Sequence, residues 1–229
     1  MQPATSRKLP TEEQTKSALW QPGHAPALPG RFLVPVYHLV STVMDDRWAG
    51  AVGASLKQHR AEMQWCDDAS GRYWQLDNLM NLEPQGMAML RQKLLSHVAD
   101  ACKAVHVDEF DLTNITMTAQ LHHHGCSSAW STEALDNEGN LDTTRRVAFD
   151  YFLHSTPLMF QHGGTEFHDG TCLKPEHNQL MFTHPLQKRC VQSVDCYSND
   201  MLHGRWSIRG HLHGPAPDGY EELAQRLLG

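Results

Sequence analysis

Across residues 114–121 the chain alternates: Ile115, Met117, Ala119 and Leu121 are apolar, while Asn114, Thr116, Thr118 and Gln120 between them are polar. A period of two puts one class of residue on each face of an extended strand, so this segment fits a sheet buried on one side. The alternation returns at Val147, Phe149, Tyr151 and Leu153. Further strands are predicted over residues 180–182, behind a turn, and over 205–213. Short strands separated by Gly, Asn and Asp turns suit a barrel or a sandwich.

Upstream the period changes. Val43, Trp48, Val52, Leu56 and Met63 fit helical spacing across 41–64. Met87, Leu90, Leu94, Val98 and Cys102 make one apolar stripe of a helix over 84–105. Residues 31–40 predict an early strand, or a strand leading into the first helix. Residues 65–81 carry Trp65, Asp67, Asp68, Arg72, Tyr73, Trp74 and Asp77 and are predicted as a loop. That loop either closes over a site or packs as a compact surface loop with Trp74 in the core. A short helix is expected at 219–228. The organisation that follows is a flexible N-terminal arm (1–30), touching the body at Trp20, and one domain (31–229). In that domain helices within 31–111 buttress a barrel core at 112–214.

The net charge of −7 and a pI near 6.1 argue against nucleic acid as a partner, since phosphate binding needs a clustered cationic face. No apolar run approaches the roughly 20 residues of a membrane span. No apolar segment follows the basic N-terminus as in a secretory signal, so the expected location is the cytoplasm. The six cysteines form no Cys-x-x-Cys pair and read as reduced, buried thiols. Sixteen histidines, the commonest metal ligands, invite a metal hypothesis. No Gly-x-Ser-x-Gly elbow, phosphate-binding glycine loop or His-Glu-x-x-His motif is present.

Four stretches carry more than pattern: Arg145 to His154, Gln161 to Gly170, Lys174 to Phe182 and Gly204 to His213. In that order they resemble the double-stranded β-helix of iron- and 2-oxoglutarate-dependent oxygenases, in the prolyl-4-hydroxylase-like branch. The resemblance implies a mainly β jelly-roll barrel with flanking helices. It also implies a His-x-Asp pair and a later His holding iron, with open positions for 2-oxoglutarate and dioxygen. An Arg or Lys on the final strand would clamp the far carboxylate of 2-oxoglutarate.

Laid along that pattern, the chain keeps the scaffold and changes the ligands. Ala129 stands at the ligand His, Ser131 at the ligand Asp and Arg189 at the distal His. A shift of one residue brings in only Lys188. Alanine has no donor atom, neutral serine is a poor ligand, and arginine does not deprotonate. Arg205 stands at the co-substrate arginine, and Gly163-Gly164 matches the family's Gly-Gly turn.

Three readings follow. In the first, a degenerate member binds an anionic small molecule through Arg205 and Arg189. It then performs iron-independent tailoring chemistry, with His122, His124 or Glu133 as acid–base groups, or acts as a partner subunit. In the second, an iron-dependent hydroxylase of a small molecule or amino acid uses relocated ligands: His122, His124 and His184, with Glu133 or Asp136. In the third, the chain is a non-catalytic binding module. The bland alternatives stand beside these: Arg189 as a solvent-facing or salt-bridged arginine, the His-His-His run as a polar hairpin end, and His168, His211 and His213 as satisfied or exposed side chains. Cofactors reduce to 2-oxoglutarate or a similar dicarboxylate, with iron only under the second reading. Partners reduce to the anionic ligand and either a second copy of the chain or a related oxygenase.

Overall fold

The computed structural model describes residues 35–68, 71–79, 81–136, 138–155 and 157–228. The arm expected at 1–30, Trp20 with it, lies outside these, as does the start of the strand expected at 31–40.

The alternating segments form one antiparallel face. β4 (Asn114–His122) and β6 (Arg145–Leu153) flank β13 (Arg205–His213), and β10 (Gln179–Thr183) and β1 (Tyr37–Ser41) extend the sheet beyond β6. Register places apolar residues opposite one another in rows. Trp206 lies between Leu121 and Leu153, Ile208 between Ala119 and Tyr151, and Leu212 between Ile115 and Val147. These side chains point outward into a buried core shared with the helices. Gly210 sits between Met117 and Phe149 in the same series. A Cβ there would lie 1.8 Å from the Thr116 carbonyl oxygen, so only glycine fits.

The helices cover that outer face. α1 (Asp46–Gln58) starts after Asp45, whose carboxylate accepts from the Arg47 N–H, and presents Ala49, Val52 and Leu56. It is shorter at both ends than the predicted span of 41–64: Val43 and Met44 are buried before it, and residues 59–62 tighten into a 3₁₀ turn. α2 (Pro84–Ser96) has proline in its first turn and buries Met87, Leu90 and Leu94. The helix expected over 84–105 is interrupted at His97, whose N–H bonds back to the Leu94 and Leu95 carbonyls; α3 (Val98–Ala104) follows with Cys102 buried. α4 (Tyr220–Leu228) closes the chain.

The predicted loop over 65–81 is instead mostly a hairpin, β2 (Gln64–Asp68) and β3 (Gly71–Leu76). A cross-strand contact of Trp65 with Trp74, their rings tilted and centroids 5.1 Å apart, replaces the missing apolar alternation. β3 joins β4 and leads the sheet round through β5 (Ser127–Ser131), β11 (Arg189–Val191), β8 (Thr165–Phe167) and β9 (Cys172–Leu173). β7 (Phe160–His162) and β12 (Val194–Cys196) pair separately. The sheet curls into a half-barrel of jelly-roll type, as the sequence leads one to expect.

Candidate functional site

The residues that alternate with the apolar rows point the other way, into the curl. On β13 these are Arg205, Ser207, Arg209 and His211, and all but Arg209 and His211 are fully buried. They build two levels of different character.

At the first level, register sets Arg205 beside His122 on β4; Trp206 pairs with Leu153, which brings His154 to the other side of Arg205. Three neighbouring strands, about 4.8 Å apart, therefore carry an imidazole, a guanidinium and an imidazole in a row. Arg205 is 1% exposed, lies 5.0 Å over the Phe152 ring, and donates from Nη2 to Thr165 Oγ1 at 3.3 Å. Among the described residues it forms no ion pair, and its Nε has no partner. Both ring nitrogens of His122 and of His154, and Ser207 Oγ, are also buried without partners. Burial first, then Arg205, hold both imidazoles well below their ordinary pKa, so both are neutral. Burial likewise pulls the Arg205 guanidinium down to about 10, which leaves it charged at neutral pH.

At the second level the charges are matched. Arg189, 4% exposed, pairs through Nη1 with Asp150 and through Nη2 with Glu133 Oε1 at 3.4 Å. Arg209 pairs with the same two carboxylates, Glu133 through Nη2 and Asp150 through Nε at 3.5 Å. His211 Nε2 lies 3.2 Å from Glu133 Oε2, and Arg209 Nη1 donates to Gln120 Oε1 at 3.0 Å. Two guanidinium groups and two carboxylates thus close a neutral ring that ties β11 to β6 and β13. Burial alone would raise both carboxyls. The arginines outweigh it and hold Asp150 below, and Glu133 well below, the usual carboxylate range.

Several predicted residues arrive elsewhere. His124 stands on the surface, its side chain 63% exposed, 3.0 Å from Asp195. His184 is buried, accepting from the Leu186 N–H, and burial with Arg146 pushes its pKa down to about 3. Asp136 caps a turn through Glu138 and Asn140. His122, His124 and His184 are therefore not brought together, and among the described residues no three His, Cys, Asp or Glu side chains gather as a metal-binding group. Ser131 pairs with Arg189 in register yet is exposed, and Ala129 is half-buried. His168 lies in the turn after β8, exposed. His213 is nearly buried between Thr116 and Thr144 hydroxyls at 2.8 and 2.9 Å. Sequence reasoning gave no role to His154, Asp150 or Arg209. Asp150 had a signal, a charged residue within the apolar run 147–153, and Arg209 shares the polar phase of β13 with Arg205, Ser207 and His211.

No family model and no curated protein matches the chain. Solved structures do. A Pseudomonas putida prolyl-4-hydroxylase superposes with a TM-score of 0.59 at 13% identity, covering 80% of this chain and 95% of that one. A Trichoplax adhaerens prolyl hydroxylase, solved with a hypoxia inducible factor peptide fragment, gives 0.59 at 9%, covering 84% and 87%. The viral collagen prolyl hydroxylase of Paramecium Bursaria Chlorella virus-1, in a 2OG complex, gives 0.56 at 11%, covering 79% and 97%. At these identities the likeness is one of fold: this chain has the jelly roll of the 2OG-Fe(II) oxygenases.

Proposed function

We propose that this chain is an oxygenase-fold protein that holds a small carboxylate inside the barrel at Arg205, and that it does so without iron. One observation carries the reading: a fully buried guanidinium with no ion-pair partner among the described residues, flanked by imidazoles whose nitrogens are unpartnered. An isolated buried charge is costly, and buried donors normally have acceptors, so such a cluster is built for a ligand that supplies them. A carboxylate suits it, accepting from the planar guanidinium and from one N–H of each neutral imidazole.

Iron does not fit the second level. By the resemblance, the distal-histidine position falls on Arg189, a guanidinium engaged by Asp150 and Glu133, and the other two ligand positions fall on Ser131, which is exposed, and Ala129. Arg189 supplies the local positive charge in a form that cannot exchange ligands. That also separates the two arginines: Arg189 is committed to internal carboxylates, leaving Arg205 as the anchor. Among the expected acid–base groups, His122 is the one beside that anchor. Glu133 is held ionised by its partners and is a weak base, and His124 faces solvent.

The test is a calorimetric titration of short carboxylates, 2-oxoglutarate among them, into wild-type protein in the presence of a chelator. Binding is expected. Arg205→Ala should weaken it by about tenfold or more, the scale of a charge-assisted hydrogen-bond pair, with Arg205→Lys in between. Wild-type protein that binds none of them, or Arg205→Ala protein that binds them equally well, refutes the reading.

A further inference from the structure

We infer that the barrel selects a monoanion, a ligand with one carboxylate and a neutral body, over a dicarboxylate. This rests on the reading of Arg205 as an anion anchor and adds the charge class of the ligand.

The buried charges of the interior sum to one positive charge. Arg189, Arg205 and Arg209 face Asp150 and Glu133. The ring of Arg189, Arg209, Asp150 and Glu133 is neutral by itself, so the interior carries the single positive charge of Arg205. His122 and His154 add none, being buried and neutral, and His211 donates to Glu133 with its own pKa lowered, chiefly by burial. Lys57, whose ammonium reaches Ser155 Oγ at 3.4 Å, is only half-buried and stays in contact with water. A divalent metal with one carboxylate ligand in place of the ring would leave the same interior one charge more positive. This interior neutralises one carboxylate; a second would be buried without a counter-ion.

The surroundings agree with a neutral body. Phe152, whose ring carries the Arg205 guanidinium, belongs to a buried cluster with Phe167 and Met181. Ser207 Oγ, which follows Arg205 on the inward phase of β13 and lies opposite Phe152, is a neutral polar atom without a partner.

The experiment compares glutarate with glutaramate, its monoamide, by calorimetry on the full chain near pH 7.5. The two have the same length and differ by one charge. Glutaramate should bind tighter by about tenfold or more, the order expected for an unpaired buried charge. Asp150→Asn and Glu133→Gln each make the interior one charge more positive and should shift the ratio toward glutarate; two variants guard against one failing to fold. Glutarate binding tighter than glutaramate, in an Arg205-dependent way, overturns the selectivity and leaves the anchor standing. A ratio that moves in neither variant overturns the charge count as its cause. Failure of both ligands to bind, or binding indifferent to Arg205→Ala, overturns the anchor as well.

Discussion

Arg189 is the residue on which the site turns, because it is a cation built into the chain and shared by two buried carboxylates. Removing one member of such a ring strands the others. Arg189→Met is expected to cost about 3–5 kcal/mol in chemical denaturation, and adding Asp150→Leu should recover much of it by removing the stranded charge. A loss under about 1 kcal/mol for the single variant would show that the ring is not structural. Protons act on the same residues. A carboxyl whose folded pKa is lowered stabilises the fold above its unfolded value near 4, and that contribution disappears as pH falls through the folded value. Asp150 and Glu133 are of this kind. The buried imidazoles respond earlier: unfolded histidines take up protons below about pH 6.5 whereas His122, His154 and His184 resist, so stability declines from there downward. Thermal melts should therefore fall steadily from pH 6.5 to 5 and more steeply below about 4. A flat profile down to pH 5 would contradict the neutral buried imidazoles.

Among the elements, the connection between β1 and the barrel depends on a side chain that no sequence pattern singles out. Asn178, buried in the turn before β10 at φ +58°, accepts from Tyr151 Oη at 2.8 Å and the Met44 N–H at 3.1 Å, and donates to the Met44 carbonyl at 2.6 Å. Asn178→Gly keeps the left-handed backbone but leaves those groups unpaired, at a cost of about 2–3 kcal/mol. Asn178→Ala adds backbone strain and should cost more. Equal stability of the two in urea would mean that the backbone conformation contributes nothing. The strands with period two, and the two helical stripes, were legible because one face of each is apolar. The β2–β3 hairpin was not, since β2 is largely exposed and has no apolar face to mark it. Its one signal was Ser70-Gly71 after an acidic pair, a turn dipeptide.

For the whole molecule, the barrel emerged from element order, and Arg205 and Arg189, which the resemblance singled out, are both buried in it. What the sequence left unresolved is the partnership of each. Whether Arg189 meets solvent, a ligand or Asp150 depends on strands β6 and β11 facing each other across the curl. The row of His122, Arg205 and His154 likewise exists only once the register of β4, β13 and β6 is fixed. Glu133 read as an acid–base group because nothing local shows the arginines that hold it. The proposal rests on both levels: a neutral ring that includes Arg189, which the resemblance sets at the distal iron ligand, and beside it a guanidinium with no ion-pair partner among the described residues. It is tested most directly by titrating glutaramate into chelated protein and again after anaerobic loading with iron(II). The expected result is the same affinity and stoichiometry in both, with no iron retained after desalting. Binding that appears only with iron, or stoichiometric iron retained by the protein, would contradict it.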